Sequence, residues 1–179
     1  MAQPRGYFGI GVEGVSKPMN VGALMRTAHA FGASFVFMLG AVYERDEARL
    51  SDTSDAAASV PFFEFAGIAD FALPRDCALV GVELMDDAVE LPSFTHPRAA
   101  AYVLGPERGA LSPALLARCA HVVKIPTRFS INLALAGALV MYDRLVSLGR
   151  FARRPVATGA PTELPPRHEF APPKLRRKR

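Results

Sequence analysis

The chain has 179 residues, half of them apolar, with a formal net charge of +4, two cysteines and no tryptophan. That length suits about one domain with a single core. Cys77 and Cys119 lack metal-type spacing and a secretory context, so they read as free thiols in a reducing compartment; the four histidines, at 29, 96, 121 and 168, have no ligand spacing either, which argues against a zinc site.

The start, Met1-Ala2-Gln3-Pro4-Arg5-Gly6, lacks the basic flank and apolar core of a signal peptide. The longest apolar stretch, Ile131 to Tyr142, contains Asn132 and falls short of the ~20 residues that a membrane span requires. A cytoplasmic protein without membrane contact is expected.

Tyr7 to Val12 opens as a buried strand. Within it and just beyond, Gly9-Ile10-Gly11-Val12-Glu13-Gly14 matches the G-x-G-x-x-G dinucleotide fingerprint. That fingerprint needs a finished strand before its first glycine and a helix opening at its last, whereas here the glycines sit inside the strand and Ser16-Lys17-Pro18 follows. A dinucleotide-dependent reductase is therefore the weaker alternative.

Next comes a helix from Asn20 to Phe31, ended by Gly32, with Asn20 suited to cap it and Gly22 and Arg26 four apart on one face. A glycine inside a helix costs about 1 kcal/mol against alanine, so Gly22 suggests close approach of a ligand or backbone. Further strands are expected at Phe35–Leu39, Ala78–Leu84, Ala101–Leu104 and His121–Ile125, with helical stretches at Asp52–Ala58, Gly67–Leu73 and Ser112–Cys119, the last capped by Ser112 with Pro113 in its first position. Phe35, Phe37, Phe62, Phe63 and Phe65 read as core or subunit interface rather than a base-stacking platform.

A final helix from Asn132 to Leu148 carries Leu135, Leu139, Tyr142 and Val146 at helical spacing and stops at Gly149. Strand and helix alternate throughout, which predicts an α/β fold with a mostly parallel sheet flanked by helices.

The chain divides at residue 149. Residues 150–179 are rich in proline and carry nine Lys or Arg against two acids, while residues 1–149 carry twelve against fifteen. The net basicity belongs to a flexible tail. Lys174, Arg176, Arg177, Lys178 and Arg179 are its candidate contacts to a polyanion.

Three strand-to-helix junctions concentrate the chemistry-bearing residues. The first is Asn20-x-Gly22-x-x-x-Arg26; the second is Leu104-Gly105-Pro106-Glu107-Arg108-Gly109; the third is Ile125-Pro126-Thr127 with Ser130-Ile131-Asn132-Leu133. Alone, each also fits an ordinary helix start: Asn20 a cap, Arg26 a surface charge, Glu107 a solvated carboxylate, Ser130 and Asn132 a capping pair. A Ser-His-Asp hydrolase lacks its G-x-S-x-G elbow here.

In combination and order, the junctions resemble the three motifs of the SpoU (TrmH) family of RNA ribose methyltransferases in the SPOUT superfamily, over Tyr7 to about Leu148. The resemblance implies an α/β fold with a C-terminal trefoil knot, a homodimer, S-adenosylmethionine as methyl donor, and transfer or ribosomal RNA as acceptor at a ribose 2′-hydroxyl. Carried over by position, Asn20, Arg26, Glu107, Ser130 and Asn132 form the catalytic cluster. Leu104, Gly105, Glu107, Gly109, Ile125, Pro126, Ser130 and Leu133 form the donor pocket. Arg26 would also hold an RNA phosphate and stabilise the developing alkoxide, since a guanidinium stays protonated and is a poor base. Relatives commonly carry Met where this chain has Thr127, and Ser-Leu-Asn-Val where it has Ser-Ile-Asn-Leu. An inactive RNA-binding module on the same fold is the other alternative.

Overall fold

The computed structural model describes residues 6–40, 59–149, 151–152 and 154–161. The expected helical stretch at 52–58 and the basic residues from Lys174 to Arg179 lie outside them.

Seven strands form one sheet: β1 (Tyr7–Glu13), β2 (Phe35–Leu39), β3 (Phe62–Phe65), β4 (Ala78–Val82), β5 (Val89–Glu90), β6 (Ala99–Leu104) and β7 (His121–Lys124), in the spatial order β3-β2-β1-β6-β4-β7-β5. Every pairing is parallel. Among the described residues the strands are joined by helices α1 (Pro18–Phe31), α2 (Pro113–Leu116) and α3 (Leu133–Leu148), with a 3-10 turn at Leu91–Ser93. Parallel strands are covered on both faces, so they read as continuous apolar runs, as β1 and β6 do.

The period of two in a strand divides the core into two layers. Ile10, Val12, Val36, Ala100, Tyr102 and Leu104 share one layer with Leu24 of α1 and Val140 of α3. Phe37, Leu39, Ala101 and Val103 share the other with Phe71, Leu111 and Leu115. On the first face α1 and α3 approach closely because Gly137 has no side chain: a β-carbon there would stand 2.6 Å from Leu24 Cδ1.

The strand glycines have a packing role of the same kind. A β-carbon at Gly9 would collide with the Phe35 ring, and one at Gly11 with the Phe37 carbonyl. The fingerprint-like spacing therefore makes room for strand β2.

Several boundaries differ from expectation. β3 and β5 were not anticipated; β3 forms because Phe62 and Phe65 pack from a sheet edge, while Phe63 stays half exposed with its ring edge-on to Phe35. Gly67–Leu73 is no helix but a tight turn, closed by bonds from Asp70 N to Gly67 O and from Phe71 N to Ile68 O. One turn suffices to lay Phe71 on Phe37, with ring centroids 5.1 Å apart, and Pro74 prevents continuation. Helix α2 is shorter than expected, though Ser112 does cap it by accepting from Leu115 N. Helix α1 starts two residues early, at Pro18, so Asn20 lies inside its first turn and is no cap. Gly32 closes α1 in the left-handed conformation, as expected. Gly149 ends α3 in extended backbone instead. The Leu135, Leu139 and Tyr142 stripe is exposed; α3 buries Leu133, Ala134, Gly137, Val140, Met141 and Arg144.

At the amino ends of β1 and β6, Arg144 is 1 % exposed and donates to the carbonyls of Tyr7, Pro97 and Arg98 and to the Tyr102 hydroxyl. His96 joins this cluster through its Nδ1 and Tyr102 Oη at 2.6 Å, and through its Nε2 and Asp143 Oδ2 at 2.9 Å. Burial holds the His96 imidazole below its ordinary range and outweighs the upward pull of Asp143; Arg144 pushes it further down. The unfolded chain titrates this group near the ordinary ~6.5. Below that pH the unfolded state binds more protons than the folded one, so His96 subtracts stability as pH falls from ~6.5 toward the folded value. Urea midpoints at pH 7 and pH 5.5 should differ, and the difference should shrink in His96→Gln. Equal pH sensitivity in the two proteins would contradict it.

Cys77 and Cys119 are free and half-buried, and burial pushes the Cys119 thiol up to about 11. Among the described residues no helix is long and apolar enough to cross a membrane, and no group of three or more His, Cys, Asp or Glu could hold a metal ion.

Candidate active site

The carboxyl ends of β1, β4, β6 and β7 converge on one side of the sheet, where open α/β folds place their ligands. The segment after β6 dominates this region. Leu104 ends the strand, Gly105 and Pro106 turn, and Gly109 takes a φ of 110° that suits only glycine.

Glu107 is the hub. Its Oε2 accepts from Ser16 N and Ser16 Oγ, both at 3.1 Å, and its Oε1 accepts from Lys17 N at 3.1 Å and Asn20 Nδ2 at 2.8 Å. Four donors fill the roughly four lone-pair positions of a carboxylate. Desolvation pushes this carboxyl upward, but the bonds from Asn20, Ser16 and Lys17 outweigh it and hold Glu107 below its ordinary range. Ionised and saturated, Glu107 bolts the β6 loop to the start of α1 and has no lone pair left for a reacting proton.

The network continues. Asn20 is 7 % exposed, and its Oδ1 accepts from Asn132 Nδ2 at 3.0 Å. Asn132 Oδ1 accepts from Ala134 N at 2.9 Å and Leu135 N at 3.3 Å, capping α3. Asn132 is thus both a helix cap and a link to Asn20. One chain of hydrogen bonds, Glu107–Asn20–Asn132, joins the three junctions that lie far apart in sequence.

Two further carboxylates, which sequence reading missed, brace the same loop. Glu13, the last residue of β1, accepts from Ser112 N at 2.7 Å and Ser112 Oγ at 2.6 Å. Glu83, just beyond β4, accepts from Leu111 N through Oε2 at 2.8 Å and from Leu84 N through Oε1 at 3.0 Å. The available signal was positional, an acidic residue where a parallel strand reaches its carboxyl end.

A pocket opens between the loops. Leu104, Gly105, Glu107, Gly109, Ile125, Ser130 and Leu133 line it, together with Val82, Glu83, Leu84, Pro106, Thr127, Ile131 and Ala136. Pro126 faces the adjoining depression with Lys124, Thr127 and Arg128 instead. Gly105 is needed there, since a β-carbon would stand 3.0 Å from Glu83 Oε2 and 3.2 Å from Leu111 N. Arg26 is exposed on α1, while the bonded chain runs through Asn20 on the buried side of that helix.

The pocket therefore combines an apolar wall from Leu104, Ile125, Leu133 and Ala136 with glycine backbone and the polar side chains of Glu83, Glu107, Thr127 and Ser130. Such a lining accepts a flat apolar ring and orients polar groups by backbone contacts.

Residues 8–142 match the model of the SpoU rRNA Methylase family. The 23S rRNA (guanosine-2'-O-)-methyltransferase RlmB of Nitrosomonas europaea is 31 % identical over 145 residues, which cover 74 % of this chain and 53 % of that protein. The chain thus spans about half the length of this curated relative. In fold, it is similar to the AdoMet-bound rRNA methyltransferase of Sinorhizobium meliloti, with a TM-score of 0.70 at 21 % identity over 83 % of this chain and 59 % of that one. It is also similar to a protein described by its structural study of 2-OH methylation of C/U34 on tRNA, with a TM-score of 0.70 at 23 % identity over 80 % of this chain and 97 % of that one.

Proposed function

The chain belongs to the SpoU rRNA Methylase family, and we propose that it transfers a methyl group from S-adenosylmethionine to a ribose 2′-hydroxyl of ribosomal or transfer RNA. The observation that carries this reading is the Glu107–Asn20–Asn132 chain, which holds three loops rigidly around one pocket. A methyl transfer needs its two partners aligned in line and the hydroxyl proton released to solvent, and fixed loops serve the alignment.

The pocket suits the donor. Its apolar wall and glycine backbone fit an adenine ring, and Ser130 and Glu83 supply polar contacts beside it. When bound, the donor supplies an electrophilic methyl group on sulfur. In this reading Ser130 steers the acceptor ribose, Asn20 holds the loops around it through Glu107 and Asn132, and Arg26 holds an RNA phosphate and favours the developing negative charge on oxygen. Glu107 acts as a positioning residue, because its oxygens are already occupied.

Residues 1–149 form the catalytic unit in this reading, and residues 150–179 a basic arm. A trefoil knot near the carboxyl end is part of it: β7 lies between β4 and β5, two strands that precede it in sequence, and α3 then returns to pack on α1. Stretching a knotted chain by its ends should stop short of full contour length. An unknotted chain reaches it.

The enzyme is proposed to act as a homodimer. Leu135, Leu139 and Tyr142 form an exposed apolar stripe on α3, with Met19 at 75 % exposure near the start of the adjacent α1. Light scattering should give twice the chain mass, and an active monomer at nanomolar concentration would exclude the pairing. If the arm contacts phosphates, deleting residues 174–179 should flatten the salt dependence of RNA binding by up to about 3 units of log-log slope. An unchanged slope would remove the arm from the reading.

The deciding experiment is transfer of labelled methyl from S-adenosylmethionine to RNA lacking the modification, followed by mapping of ribose 2′-O-methyl positions. Donor binding without transfer to any RNA fraction would favour the inactive RNA-binding alternative. NADH binding without donor binding would end the methyltransferase reading.

A further inference from the structure

We propose that Glu83 is the residue that recognises the ribose of the methyl donor, accepting its two vicinal hydroxyls; this rests on the donor reading above. Three observations carry it. Glu83 lines the pocket directly beside Gly105, the position where any side chain would crowd its Oε2. It stands at the carboxyl end of β4, next to β6, with Val82 paired to Leu104. Each of its oxygens accepts one backbone N–H, from Leu84 and Leu111 respectively.

The contrast with the neighbouring carboxylate is informative. Glu107 receives four donors and is saturated, whereas Glu83 is oriented by two and keeps about one acceptor position on each oxygen. Two acceptors side by side on a fixed, planar group match a vicinal diol, which offers two hydroxyl donors. The amino-acid end of the donor matches less well, because its own carboxylate would face Glu83. The same charge disfavours ligands that bring phosphate groups to this pocket, a second reason against a dinucleotide. Acidic residues near strand ends take ribose hydroxyls in other open α/β sheets, but here the residue follows β4 instead of the strand after the first helix.

Calorimetry with 5′-methylthioadenosine and its 2′-deoxy analogue tests this without the amino-acid group. On wild-type protein, loss of the hydroxyl should weaken binding about 10-fold, the scale of a hydrogen bond to a charged acceptor. In Glu83→Gln the parent ligand should bind about 10-fold more weakly, and the deoxy analogue should then lose little more, since the two changes remove one interaction. If Glu83 only braces Leu111, the hydroxyl will cost the same in both proteins, and the proposal fails. Deoxy and parent ligands binding equally to wild type would also overturn it, with the donor reading left standing. Failure of wild type to bind S-adenosylmethionine itself would remove that reading as well.

Discussion

In the proposed reaction, Arg26→Ala is expected to keep S-adenosylmethionine affinity close to wild type while the single-turnover rate of RNA methylation falls about 100-fold or more, the loss typical of one preorganised electrostatic group. The separation follows from position. The pocket walls come from the ends of β4, β6 and β7 and the start of α3, whereas Arg26 is exposed on α1, outside that lining. The bonds to the Glu107 hub come from Ser16, Lys17 and Asn20, and α1 packs on α3 through Leu24 and Gly137. Arg26→Lys should rescue little, because an ammonium retains the charge but lacks the planar fork that binds a phosphate and a second oxygen together. Asn20→Ala should lower the rate less while also loosening Glu107. A wild-type single-turnover rate in Arg26→Ala would return this residue to an ordinary surface charge.

Much of the sheet was legible because a parallel strand buried on both faces leaves an unbroken apolar run, as in β1, β2, β4 and β6, whereas β7 shows only Val122 and Val123 between His121 and Lys124. β3 was less visible, since its Phe62-Phe63-Glu64-Phe65 run invites a packing reading without a strand, and edge position is a tertiary fact. Asn20 was misplaced locally, as a cap, because Pro18 already satisfies the first-position preference and the helix begins there. The site was legible as three junctions, and a pattern of residue types suffices for that. What sequence could not supply was the pairing: that Glu107 reaches Ser16 and Lys17, ninety residues earlier, and that Asn132 meets Asn20. Glu13 and Glu83 escaped notice for a related reason. A lone carboxylate in a sequence looks solvated until the loop that it braces is folded over it.

Arg144 is the largest case of a residue whose role exists only in three dimensions, and replacing it by Met should destabilise the protein by about 3–5 kcal/mol. In sequence it is one charge in an apolar helix, easily assigned to the solvent face. In the fold its guanidinium stands 5.3 Å over the Phe8 ring and donates to the carbonyls of Tyr7, Pro97 and Arg98, at the amino ends of β1 and β6. Methionine fills much of the volume but removes a donor from each of these carbonyls and from the Tyr102 hydroxyl; Arg98 O keeps Tyr7 N and the hydroxyl keeps His96. The expected loss is a large fraction of the ~5–15 kcal/mol that separates folded from unfolded states. It should lower the melting temperature by about 10 °C or more for a chain of this size. Lysine should recover only part, since one ammonium cannot span four acceptors. Because the cluster lies at the sheet end opposite the pocket, donor affinity of the protein that remains folded should stay unchanged. A melting temperature within about 2 °C of wild type would mean that these carbonyls find water instead, and that Arg144 does not tie the starts of the two central strands to α3.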